Sequence, residues 1–189
     1  TLPANGRRPS WLFFIRRPSR ICRVRFRMST PPSGSPSRQG LALLGWLILC
    51  FAASLSAVFV SVDGWYASLN KPAWNPPNWV FGPVWSLLYA MMAVAAWLVW
   101  RRGGWAVQRR PLALFVAQWL LNAIWTPLFF GMHMLGAAFG EILVLWLAVA
   151  ATIIAFWRVS RPAAAMLVPY LAWVSFASVL NFTLWQLNR

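Results

Sequence analysis

MLGAAFGEILVLWLAVAATIIAFW, the run from Met134 to Trp157, holds one ionisable side chain, Glu141, in twenty-four positions. The hydrocarbon core of a bilayer takes roughly 20 apolar residues as an α-helix, so this run is long enough to cross it. It lacks the period-2 alternation that a transmembrane barrel strand would show. Backbone N–H and C=O groups in lipid must bond within their own segment, and that leaves the helix.

Four further runs have the same character: Leu41–Val62, Trp79–Trp100, Leu112–Phe130 and Ala163–Leu187. The expected fold is an all-α integral membrane protein, a bundle of five transmembrane helices. Composition agrees, since 10% of residues are charged against roughly 25% in soluble domains. The net charge of +15 could point to nucleic acid. Nine of the seventeen basic residues precede residue 40, however, and most of the others sit between apolar runs, so no nucleic-acid partner is expected.

Residues 1–40 form a separate region from the membrane domain at 41–189. They are rich in Arg, Pro and Ser and contain no acid. Such composition fits a disordered basic tail from an over-extended gene start, and it also fits a targeting segment. Neither is part of the fold.

The arginines set an orientation. With the N-terminus inside, the inner side collects nine, four and two basic residues, and the outer side only Lys71 and Arg189. The positive-inside rule then puts the C-terminus and the first loop outside. That loop, residues 63–78, is long and rich in Trp, Pro and Asn, whereas the later connections are short: Arg101–Pro111, about three residues at His133, and Arg158–Pro162. Long ordered loops in compact proteins are more often functional than not.

Cys22 and Cys50 give no readable disulfide framework, and His133 has no ligand-type neighbour, so no metal site is expected. Of fifteen tryptophans, Trp79, Trp97, Trp100, Trp157 and Trp185 fit an interfacial aromatic belt. Trp85, Trp119, Trp146 and Trp173 lie deeper, where an indole N–H needs a partner. They read either as core packing or as the flat walls of a cavity. Polar residues recur at helical spacing: Gln118, Asn122 and Thr126 on the third span, and Trp173, Ala177 and Asn181, with Ser178, on the fifth. Trp85 and Tyr89 share a face of the second. Polar side chains are costly in lipid, so these faces point inward, either as interhelical glue or as a ligand pocket. Gly136 with Gly140, and Ala113 with Ala117, are small-residue pairs that allow close helix approach, within the bundle or between protomers. Glu141, at its depth, meets water or a neighbouring amide more readily than a bound cation.

The stretch Trp65-Tyr66-x-x-Leu69-x-Lys71-Pro72-x-Trp74-x-Pro76-Pro77-x-Trp79, then Gly82-Pro83-x-Trp85-x-x-Leu88-Tyr89, resembles the signature of the TspO/translocator protein family. So do Gln118-x-x-x-Asn122, Trp125-x-Pro127-x-Phe129-Phe130-Gly131, and Pro169-Tyr170-Leu171-x-Trp173 through Leu180-Asn181. The resemblance spans about 41–189. It implies five helices in this topology, a homodimer, and a pocket that binds porphyrins such as protoporphyrin IX or heme under a lid formed by the first loop. Matching motif positions place Trp85, Asn122, Trp173 and Ala177 in that pocket and Trp65, Tyr66 and Trp74 in the lid; Trp146 is expected to face the pocket, and Glu141 matches an acidic position of some members. With Tyr89, Gln118 and Asn181 from the polar faces, these are the candidate ligand-binding residues, and Lys71 could meet a porphyrin's propionates. The family's cholesterol motif is degraded here, because Phe182 replaces its Tyr and Arg189 lies too far beyond.

The leading functional expectation is a membrane receptor or sensor for tetrapyrroles, with no cofactor required, in a bacterial inner membrane rather than an organellar one. Two readings of other classes stay open. One is light- and oxygen-dependent porphyrin degradation, with Trp85 and Trp173 as redox-active candidates; no nucleophile–base pair supports ordinary catalysis. The other is porphyrin or lipid transport, weakened because no internal repeat is visible and prolines such as Pro127 and Pro169 are expected near helix ends.

Overall fold

The computed structural model describes residues 36–55 and 63–189, and these lie in the unit Pro31–Arg189. Every regular element among them is helical: α1 (Pro36–Ala52), α2 (Asp63–Ser68), α3 (Asn78–Trp100), α4 (Gly104–Thr126), α5 (Leu135–Trp157) and α6 (Arg161–Leu187), with a π-helical turn at Pro127–Gly131 closing α4. Four are long and apolar enough to cross a membrane, while α1 is a shorter apolar helix. At 1.5 Å per residue, the 23 residues of α3 or α5 span about 34 Å, enough for a hydrocarbon core of about 30 Å.

Several boundaries differ from those expected. The first helix begins at Pro36, inside the region assigned to the tail, and stops at Ala52. There Ser54 turns back onto Phe51 O through both its N–H (3.0 Å) and its hydroxyl (2.6 Å). The remainder of the expected span, 56–62, and residues 1–35 of the tail lie outside the described residues. The first loop contains a short helix, α2. The second connection shrinks to Arg101–Gly103, because α4 starts at Gly104 and carries Pro111 inside it. Proline removes the bond to the carbonyl four residues back and crowds it. The backbone yields nearby, at Gln108 (φ −103°, ψ 29°), whose side chain donates to Arg102 O at 3.0 Å. Gly103 (φ 122°) and Gly104 (φ 62°) supply the left-handed backbone that reverses the chain between α3 and α4. Pro169 is likewise interior to α6 and not near its end.

Helix α1 packs on α3, and α3, α4, α5 and α6 close a ring by contacts α3–α4, α4–α5, α5–α6 and α6–α3. Lipid tails are as apolar as leucine, so close packing, not transfer from water, holds such helices together. The helix faces are built for it. Ala93, Ala95 and Ala96 of α3 and Ala163 and Ala164 of α6 are fully buried. Phe115 stacks on Phe156 (5.9 Å, 14°) and meets Trp46 edge-on (5.6 Å), locking α4, α5 and α1 at one end. At the same end Trp97 Nε1 donates to Gln39 O at 3.2 Å. Arg38, Arg101, Arg102, Arg109, Arg110, Arg158 and Arg161 therefore gather at one end of the bundle, with Lys71 and Arg189 at the other. Leu120, Val144, Leu147 and Ile154 stand exposed on the outer surface, as lipid-facing side chains should.

The two glycines of α5 have separate roles. A Cβ on Gly136 would lie 3.0 Å from the Trp185 ring, so this glycine admits α6, whereas Gly140 has open space.

Candidate functional site

At the end opposite the arginines the ring of helices is hollow. A cavity of about 490 Å³ lies between α3, α4 and α6, with α5 contributing Ile142 and Leu145. This falls within the roughly 300–1,000 Å³ of small-molecule pockets. Helical periodicity builds its walls. On α3, Phe81, Trp85 and Tyr89 recur at i, i+4, i+8; on α4, Asn122, Thr126 and Trp125 line one side; on α6, Trp173, Ala177 and Asn181 repeat the same spacing. Trp85 stacks on Tyr89 (5.3 Å, 29°) and meets Tyr170 edge-on at 6.3 Å. Trp173 meets Phe81 at 5.9 Å and Phe176 at 5.4 Å. Ala177 leaves the space between these rings and Asn181.

Polar groups are few and mostly committed. Tyr89 OH donates to Asn122 Oδ1 at 3.0 Å. Asn181 is buried, accepts from Trp125 Nε1 at 3.3 Å and donates to Leu135 O at 2.9 Å, which braces α4, α5 and α6. Asn122 is 5% exposed and is the buried amide on the α4 wall, while Asn78 at the start of α3 lines the cavity nearer its exposed side.

Tyr66 of α2 closes the mouth. It is 5% exposed and its hydroxyl donates to Asn75 Oδ1 at 2.9 Å. Burial pushes its pKa above the usual tyrosine value, and the Asn75 bond offsets part of that. The lid is fastened at two further points. Trp65 stacks on His133 (4.1 Å, 16°), which sits at φ 57° between the π turn and α5. Asn188 accepts from Asn70 N–H at 2.8 Å and donates to Asn70 O at 3.0 Å.

Of the residues expected from sequence, Trp85, Tyr89, Asn122, Trp173, Ala177, Asn181 and Tyr66 line the cavity; the others do not. Trp146 faces away: its indole donates to Ser175 Oγ at 2.8 Å, pinning α5 to α6. Gln118, one turn from Asn122, is 1% exposed and packed behind the wall; neither of its amide atoms finds a partner among the described residues. Lys71 does not reach inward either. Its ammonium bonds Ala67 O (3.0 Å) and Leu69 O (3.4 Å) at the end of α2 and lies 4.8 Å above the Tyr66 ring. Trp65 is taken up by the His133 stack, and Trp74 is 47% exposed, touching only the edge of Phe176 at 6.0 Å. Among the described residues no three His, Cys, Asp or Glu side chains cluster.

The sequence-based residue set missed Phe51, Ala53 and Ser54 at the end of α1, Phe81 on α3, and Phe176 on α6. Phe81 and Phe176 carry the spacing signal, four residues before Trp85 and three after Trp173. The α1 residues carry none, because they enter through a helix terminus and not a periodic face.

The TspO/MBR family model matches residues 43–186, which is most of the chain and every wall of the cavity. The chain belongs to the TspO/MBR family. The translocator protein of Homo sapiens is 43% identical over 144 residues, covering 74% of this chain and 83% of the relative. The translocator protein of Ovis aries is 46% identical over 127 residues (66% and 75%). The tryptophan-rich sensory protein of Cereibacter sphaeroides is 41% identical over 145 residues (77% and 90%). Apolar helices of spanning length and TspO/MBR membership together make this an integral membrane protein.

Proposed function

We propose that the cavity is a receptor site for flat, largely apolar ligands with a polar edge, tetrapyrroles of the protoporphyrin IX or heme type, and that the protein senses them. The observation that carries this is the wall itself: Trp85, Trp173, Phe81 and Tyr89 offer aromatic faces and edges around a space of about 490 Å³ that Asn122 and Asn78 supply with amides. Stacking supplies affinity for a macrocycle, and a few amides fix its rotation. The name of the Cereibacter relative, a sensory protein, accords with this reading.

The setting is a bacterial inner membrane crossed five times, with α1 as the first crossing. The arginine-bearing end and the N-terminus face the cytoplasm and the lid faces outward. Two copies pair through small residues left exposed on the outer surface, Ala113 and Ala117 of α4 and Gly140 of α5.

The test is titration of protoporphyrin IX into purified protein in the dark, followed by tryptophan quenching. Saturable quenching that Ala177→Leu weakens about tenfold, and that Trp173→Phe alters, is the expected result. Linear quenching equal in all variants would mean partition into detergent and would remove the reading. Light-dependent degradation is a second reading, favoured by the contiguous oxidisable rings Trp85, Tyr89 and Tyr170. There dioxygen is the oxidant, and product formation must disappear in Trp85→Phe and Trp173→Phe while binding survives.

A further inference from the structure

Trp173 has a second hollow behind it. A groove of about 400 Å³ opens on the outer face of the bundle between α3 and α6, lined by Val84 and Leu87 on one side and Pro169 and Ala172 on the other. Trp173 and Phe176 belong to both spaces: they line the central cavity and they floor the groove. These two aromatic side chains thus stand between the lipid-facing surface and the cavity.

Trp173 is held differently from several other tryptophans of the bundle. Trp97, Trp125 and Trp146 each donate an indole hydrogen bond to a neighbouring helix. Trp173, like Trp85 and Trp119, makes none among the described residues, and its contacts are the rings of Phe81 and Phe176. Phe176 in turn meets Trp74 of the lid loop at 6.0 Å. Ring contacts without a directional bond resist rotation weakly. The backbone beside them is soft as well. Pro83 lies inside α3 and Pro169 inside α6, and each deletes one rung of its helix's hydrogen-bond ladder at the margin of the groove.

We propose that the groove between α3 and α6 is a lateral port through which a flat apolar ligand passes between the lipid phase and the central cavity, with Trp173 and Phe176 as its gate. The proposal rests on the reading of that cavity as a ligand site. The occupant's chemistry follows from the lining, which offers no charged group and suits an apolar ring system already dissolved in the bilayer. The lid route is less suited to such a ligand, since it passes a loop fastened by the Asn70–Asn188 pair and the Trp65–His133 stack.

Leu87 and Ala172 stand exposed on opposite sides of the groove. Leu87→Cys with Ala172→Cys, in a chain with Cys22→Ser and Cys50→Ala, is reconstituted in lipid nanodiscs and bridged with a short bis-maleimide. Asn70→Cys with Asn188→Cys, bridged in the same way, locks the lid. Stopped-flow quenching by protoporphyrin IX then reports the association rate. Bridging the groove is expected to slow association about tenfold or more while the final saturation stays the same, and bridging the lid should leave the rate within about twofold. Ala172→Trp, which fills the groove without any cross-link, is expected to act in the same direction. An unchanged rate across the bridged groove, or slowing by the lid bridge instead, overturns the port while leaving the cavity as a binding site. If the unbridged protein shows no saturable quenching at all, the cavity reading fails first and takes the port with it.

Discussion

Where α3, α4, α5 and α6 carry their arginines, the space between helices is filled by alanines and by interlocked rings such as Phe115 on Phe156. Where the same helices approach the lid, large aromatic side chains stand apart around a cavity. Ring size alone does not explain the difference, because both ends are rich in Trp and Phe. At the closed end, small residues on α3 and α6 let backbones approach, and each ring fills the gap its neighbour leaves. At the open end Trp85 and the Trp173–Phe81 pair line the space that Ala177 leaves. Rings packed against alanine faces and against one another make a core; rings lining the space left by a small residue such as Ala177 make a chamber.

This contrast can be broken most directly by adding the same atoms at each end. Ala96→Leu, at a fully buried site on α3, is expected to cost about 1–3 kcal/mol by overpacking, seen as a lowered thermal midpoint in detergent. Ala177→Leu, projecting into the cavity, should cost less than about 1 kcal/mol and show its effect on ligand affinity instead. Equal destabilisation by the two would mean that the chamber is filled in the working protein.

A smaller effect separates wall from brace. Trp146→Phe keeps the ring and deletes the bond to Ser175; interhelical polar bonds in membranes average about 0.6 kcal/mol. A stability loss of that order, with porphyrin affinity unchanged, is the expected result. A loss of affinity without a loss of stability would return Trp146 to the site.

The smallest effect concerns the mouth. Because burial raises the Tyr66 pKa above 10.0, the closed lid favours the neutral phenol. The stabilisation is complete below about pH 10 and is lost as pH rises through the higher folded-state value. Protection of the lid from proteolysis should fall above that pH in the parent chain, and Tyr66→Phe, which cannot ionise, should flatten that fall.

Much of this arrangement was legible in the sequence, for identifiable reasons. The last four spans announce themselves by length and hydropathy, and Trp85 with Tyr89, Asn122, and Trp173 with Ala177 and Asn181 announce their shared faces by four-residue spacing. The boundaries were less legible where proline acts inside a helix. Pro111 looked like a helix start, yet the backbone absorbed it with one distorted residue, Gln108. Trp146 was misread because depth in a span says that an indole needs a partner, not whether that partner is a ligand or Ser175 on the next helix. Lys71 was expected at the outer interface, and there its ammonium bonds the carbonyls at the end of α2, a pairing that spacing does not announce. Nothing in the pattern marked the end of α1 as part of the wall.

The pairing of Asn188 with Asn70 has a practical side. A side-chain amide that both takes from and gives to the backbone of one residue behaves as a two-point rivet, and this rivet sits one residue before Arg189. Any handle attached next to Asn188, such as an affinity tag, a fluorescent fusion or a surface tether, would pull directly on the lid and report its own strain as a change in the protein. Instrumented versions of this chain should carry their label elsewhere, and a force applied deliberately at that point would make the lid's fastening a quantity that can be weighed.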